Sequence, residues 1–174
     1  MAAIDLIVLG MLKKEALSAY DIQKLVEYRS ISKWVKISTP SIYKKVIQLE
    51  KEGLIKSTLV KEGNMPEKAV YSLTKSGEKE FKKLMIDISS EPVRFFLDFN
   101  AVVVNLQNLS PENQKVCLSS IGNGIQTEKA SLKENIAAKK NQPGIPETGM
   151  AVLQQQYALI LAIEKWIASM NADF

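Results

Sequence analysis

Apolar residues return every three or four positions along most of this chain, and in one stretch the pattern changes to that of strands. Residues 4 to 13 are apolar almost all round, with Ile4, Ile7, Val8 and Met11 on one side and Leu6 and Leu9 on another. The helix they predict must be covered on both sides. A second helix is expected over residues 19 to 29, buried through Ile22, Leu25 and Val26, with Ser18 and Asp21 placed to cap its start. Thr39 as N-cap and Pro40 as first residue open a third, in which Ile42, Val46 and Leu49 share one face and Gly53 marks the end. Leu54 to Val60 and Ala69 to Leu73 are then β-prone runs, separated by Lys61 to Lys68, where Gly63, Asn64 and Pro66 favour a turn. Thr74 caps a fourth helix carrying Phe81, Leu84, Met85 and Ile88, and Ser89-Ser90-Glu91-Pro92 breaks it.

Beyond that break the signals are helical. Phe95 to Leu106 reads as a strongly apolar helix, and Ser110-Pro111 restarts the chain into a long one from Glu112 to about Lys140. Its Leu118, Ile121, Ile125, Leu132 and Ile136 keep heptad-like steps. Gly122 and Gly124 interrupt it, each at a cost of up to about 1 kcal/mol relative to alanine, which predicts a kink or a close helix crossing. Asn141 to Gly149 reads as a loop, and the last helix, from about Met150 to Met170, carries an apolar belt wider than one neighbour needs. Pairing with a second copy would bury it, with Leu153, Tyr157, Ile160, Trp166 and Ile167 at the interface; packing back on the N-terminal half is the alternative that periodicity leaves open. The expected fold is mainly α with a small β-hairpin: an N-terminal winged helix-turn-helix over residues 1 to 89, then a C-terminal helical dimerisation domain over 90 to 174.

Charge changes the picture from architecture to chemistry. Residues 1 to 90 hold 16 Lys and Arg against 11 Asp and Glu, a net +5, whereas residues 91 to 174 hold 7 against 8, a net −1. The positive field belongs to the half with the hairpin, as expected if that half meets phosphates. On the third helix, Ser41, Lys44, Gln48 and Lys51 face away from the apolar stripe. Lysine can donate to guanine and glutamine can bridge adenine in the major groove, so Lys44 and Gln48 are the base-reading candidates. Ser41, Tyr43 and Lys45 are placed for phosphates, with Lys61 and Lys68 on the wing. A charged solvent face on any amphipathic helix is the plain alternative.

Catalysis finds little support. The chain has no histidine and one cysteine, Cys117, so a His/Cys zinc site, an internal disulfide and the usual general base are all excluded. No cofactor, metal or membrane association is expected. Met1 to Leu12 lacks a basic leader and a cleavage pattern, and a cytoplasmic protein is the reading. The rival to DNA binding is a winged helix used as a protein-docking module, with Lys44 and Lys45 meeting an acidic partner. Trp34, Phe95, Phe99, Tyr157 and Trp166 could line an aromatic effector pocket or be ordinary core.

The chain also resembles the PadR transcriptional regulators. The likeness runs through Leu6 to Leu12, Leu17-Ser18-Ala19-Tyr20-Asp21-Ile22, Ser41-Ile42-Tyr43, Leu49 to Ile55, Lys68, Tyr71-Ser72-Leu73-Thr74 and Gly77. That resemblance implies a winged-helix repressor working as a homodimer, often released from double-stranded DNA by a small molecule. Three positions depart from the family pattern: Ser18-Ala19 stands where His-Gly is common, Lys44 where proline is usual, and Asn64-Met65 where many wings carry an arginine.

Overall fold

In the computed structural model, which describes residues 2–61 and 67–173, the chain divides into two units, Met1–Val93 and Arg94–Phe174. The first contains helices α1 (Ala2–Leu12), α2 (Ala19–Tyr28), α3 (Thr39–Lys51) and α4 (Lys75–Ser89), with strands β1 (Leu17–Ser18), β2 (Ile55–Val60) and β3 (Lys68–Leu73). The strands form an antiparallel sheet in the order β1-β3-β2, with Ile55 opposite Leu73 and Val60 opposite Lys68. Val8, Leu9, Ile22, Ile42, Val46, Leu49 and Ile55 fill the centre of one core. Helix α1 lies against both α3 and α4, which explains why it is apolar on two sides.

Polar devices fix where these elements begin and end. At the start of α2, the Ser18 amide and hydroxyl donate to Asp21 Oδ2 at 3.0 and 2.7 Å, and the Asp21 amide donates back to Ser18 Oγ at 3.2 Å. The end of α3 closes on Gly53, whose φ of 73° suits a residue without Cβ. There the Gly53 amide reaches the Glu50 carbonyl at 2.9 Å and the Leu54 amide reaches Leu49 at 3.0 Å, which satisfies the final carbonyls of the helix. Thr74 then joins α3 to α4: its hydroxyl accepts from the Gly77 amide at 3.1 Å, and its own amide donates to the Leu54 carbonyl at 3.1 Å. A Cβ on Gly77 would lie 2.0 Å from that carbonyl, so only glycine fits this approach.

One N-terminal expectation shifts, and one strand is added to the sheet. The N-cap of α3 is Ser38, whose amide donates to Ser41 Oγ at 3.0 Å, and Thr39 and Pro40 are already helical. Strand β1, two residues long, carries too short a pattern to read from sequence; it exists because Leu17 and Ser18 pair with Tyr71 and Val70. Glu62 to Pro66, with the wing-tip Gly63 and Asn64, lie outside the described residues.

The second unit is built on two long helices, α6 (Pro111–Lys139) and α7 (Glu147–Asp173), preceded by a short α5 (Asn100–Val103). Leu106, Leu118, Ile125 and Ile167 form its core. Ser110 caps α6 as expected, and Glu164 on α7 holds Lys129 Nζ at 2.6 Å and Gln126 Nε2 at 2.6 Å. The expected helix over Phe95 to Leu106 is reduced to α5 and a 3-10 turn at Leu106–Asn108. Val102 and Val103 are themselves helical in α5, and just beyond them Asn105 turns its side-chain amide back on the Ala101 carbonyl at 2.8 Å, in competition with continued helix. Gly122 and Gly124 do not break α6, and among the described residues neither sits at a close crossing, since a Cβ at either would meet nothing within 4 Å. The α6–α7 loop is shorter than predicted because the Pro146 carbonyl accepts from the Gly149 and Met150 amides at 2.9 and 3.2 Å, starting α7 before Gly149.

Candidate nucleic-acid interface

Helix α3 is held from behind by the fully buried Ile42, Val46 and Leu49, which leaves a defined outward face. Lys44, Gln48 and Lys51 are exposed on it, as the helical spacing requires, and Ser41 and Tyr43 flank its first turn. Gln48 is exposed but engaged: Lys45 Nζ donates to its Oε1 at 3.0 Å and its Nε2 donates to Glu52 Oε1 at 2.7 Å. Reading a base would mean exchanging these partners for adenine.

Lys45 departs from expectation. Only 7% exposed, it turns inward and places Nζ 2.7 Å from Asp5 Oδ1 on α1. A buried cation paired with a buried-edge carboxylate is committed to the fold, so Lys45 leaves the phosphate-binding set. Conversely, Ile47 is 65% exposed and sits on the outward face between Lys44 and Lys51. Sequence reasoning passed over it as an apolar residue. Helical arithmetic contained the signal, because Ile47 lies away from Ile42, Val46 and Leu49.

Beside this face runs a cleft of about 520 Å³ lined by Tyr20, Asp21, Tyr43, Ile47, Lys68 and Tyr71 among others. The Ser18 hydroxyl and amide, with a smaller contribution from the Lys68 charge, hold the Asp21 carboxyl below its ordinary value despite partial burial. Burial, and then the charge of Glu50, push the Tyr71 hydroxyl up, so it stays neutral. Glu50 also accepts the Ser57 amide at 3.1 Å, tying α3 to β2. Lys61 is exposed just after β2 and Lys68 half-buried at the start of β3, on either side of residues 62–66.

In the second unit, Phe99 and Trp166 stack with ring centroids 6.0 Å apart, and Phe95 is largely exposed. Tyr157 is half-buried. Trp34 belongs to the first unit, packed at the margin of its core with a buried indole N–H that meets no acceptor among the described residues. Leu153 and Ile167, read as interface residues, are 2% and 4% exposed in the single chain and so have little surface left for a partner. Among the described residues no group of acidic or cysteine side chains could hold a metal ion, and no helix is long and apolar enough to cross a membrane.

Residues 8–83 match the model of the transcriptional regulator PadR-like family. Over these residues the chain is similar to the PadR-like transcriptional regulators. The family is one of transcriptional regulators. The PadR-like fold extends over the whole chain: Bacillus subtilis PadR in complex with operator DNA superposes with a TM-score of 0.81 at 22% identity, covering 98% of each chain. The same protein in complex with p-coumaric acid gives 0.74 at 22% identity over 96% of this chain and 92% of that one. The Vibrio cholerae virulence activator AphA gives 0.71 at 20% identity over 98% and 99%. A comparison with curated proteins gives no match.

Proposed function

We propose that this PadR-like chain binds a pseudo-palindromic operator as a homodimer, represses transcription there, and is released by a small hydrophobic or aromatic effector. The observation that carries the reading is the outward face of α3, where Lys44 and Lys51 stand exposed over a fully buried apolar stripe. Helices of this form fit the major groove, and the fold is shared with a PadR whose structure contains operator DNA. Ser41, Tyr43, Lys61 and Lys68 are assigned to phosphates or the wing.

Dimerisation is supported by apolar surface that the second unit leaves uncovered: Phe96 is 83% exposed, and Phe95, Val104, Val116, Leu161 and Trp166 add to it. The interface then draws on Tyr157, Ile160 and Trp166 rather than on Leu153 and Ile167. Two-fold pairing would set two reading helices on half-sites about 34–36 Å apart. Repression needs only occupancy of DNA, whereas activation needs a further surface. For the effector, the Phe99–Trp166 stack offers a flat apolar wall, and the B. subtilis relative is known with a planar aromatic acid bound.

Duplex binding measured against salt tests the reading. Neutralising several phosphates should make the logarithm of the affinity fall steeply and linearly with the logarithm of salt concentration. Duplex affinity that is absent or nearly flat in salt would replace it with the protein-docking alternative.

A further inference from the structure

We propose that Ile47 is a specificity-determining residue that packs on the 5-methyl group of a thymine in the major groove, an inference that rests on the DNA-binding reading above. Ile47 is 65% exposed, one turn after the exposed Lys44 and one turn before the exposed Lys51. A base edge approached by these lysines is therefore also approached by Ile47. It lines the cleft of about 520 Å³ with Tyr20, Tyr43 and Tyr71, so the apolar contact extends beyond one side chain.

The chemistry of the groove selects the partner. Thymine is the base that presents a methyl group there, whereas cytosine, adenine and guanine present amino donors or ring and carbonyl acceptors. An isoleucine pressed on those polar groups would strip their water and return no hydrogen bond, so it favours thymine and also disfavours the alternatives. The flanking lysines make the same surface attractive to a polyanion, which argues for nucleic acid over an apolar protein face.

The test begins with duplexes selected from a randomised pool by the 174-residue chain. In the tightest binder each thymine is replaced in turn by deoxyuridine, which removes only the methyl. Wild type should weaken about fourfold at one thymine per half-site, the value of one buried methyl-sized group. Ile47→Ala should bind the thymine duplex several-fold more weakly and be indifferent to that replacement, while Ile47→Val retains part of the sensitivity. Both variants should keep the wild-type melting temperature, because the side chain is exposed. Equal losses in wild type and Ile47→Ala at every position, or no loss anywhere, would overturn the assignment while leaving DNA binding intact. Enrichment of no duplex at all would overturn the DNA-binding reading and this inference together.

Discussion

Two neighbouring lysines on α3 show how one residue number decides between solvent and core. Lys44 is exposed and Lys45 is not, although both are cations on a polar-looking segment. Lys44→Ala and, separately, Gln48→Ala should leave the melting temperature near wild type and weaken operator binding by about 1–3 kcal/mol each. Unchanged operator affinity in both variants would show that this face does not read bases. Lys45→Ala should behave in the opposite way, losing about 1–3 kcal/mol of stability by leaving Asp5 without its partner at the α1–α3 contact. Denaturant unfolding measures it, and a midpoint equal to wild type would contradict the pairing. Periodicity located Lys44 correctly because the stripe of Ile42, Val46 and Leu49 defines its opposite. It misplaced Lys45 because the acid that draws that side chain inward lies forty positions earlier, and nothing local to α3 announces it.

At the scale of elements, the long periodic segments were legible and the short ones were not. Helices α1 to α4, α6 and α7 each carry enough apolar repeats to be found, and Ser18, Thr74 and Ser110 cap where their chemistry places them. Strand β1 depends wholly on its partner β3, and the segment around α5 has apolar content without a helical arrangement of it. The cap at Ser18 has a consequence in acid. The Asp21 carboxyl is held below its ordinary value by the Ser18 hydroxyl, so its contribution to stability is complete above the unfolded value of about 3.9 and is lost as pH falls through the lower folded value. Asp21→Asn should therefore flatten the stability profile below about pH 4, and Ser18→Ala should cost about 1 kcal/mol at neutral pH. Urea unfolding from pH 2.5 to 7 checks both, and parallel profiles for wild type and Asp21→Asn would refute the first.

For the whole molecule, the expected assembly turns on what the second unit leaves bare. Trp166 is stacked on Phe99 yet still 38% exposed. If that remaining surface meets a second copy, Trp166→Ala should weaken dimerisation by about 2–4 kcal/mol and lower DNA affinity in a way that recovers at high protein concentration. Sedimentation and binding over a hundredfold range of concentration measure it; a melting shift alike at all concentrations would place Trp166 in the fold of one chain. The junction of Gly53, Leu54, Thr74 and Gly77 bears on how such an assembly is controlled. The Leu54 carbonyl, just past the end of α3, accepts the Thr74 amide at the start of α4, and no methyl group fits between it and Gly77, so the two helices are fastened at one point. Under the proposed function, a displacement of α4 would therefore pass to α3 as a rigid step. In the proposed two-fold assembly the controlled variable would be the distance between two rigid helices, measured against the fixed pitch of the double helix.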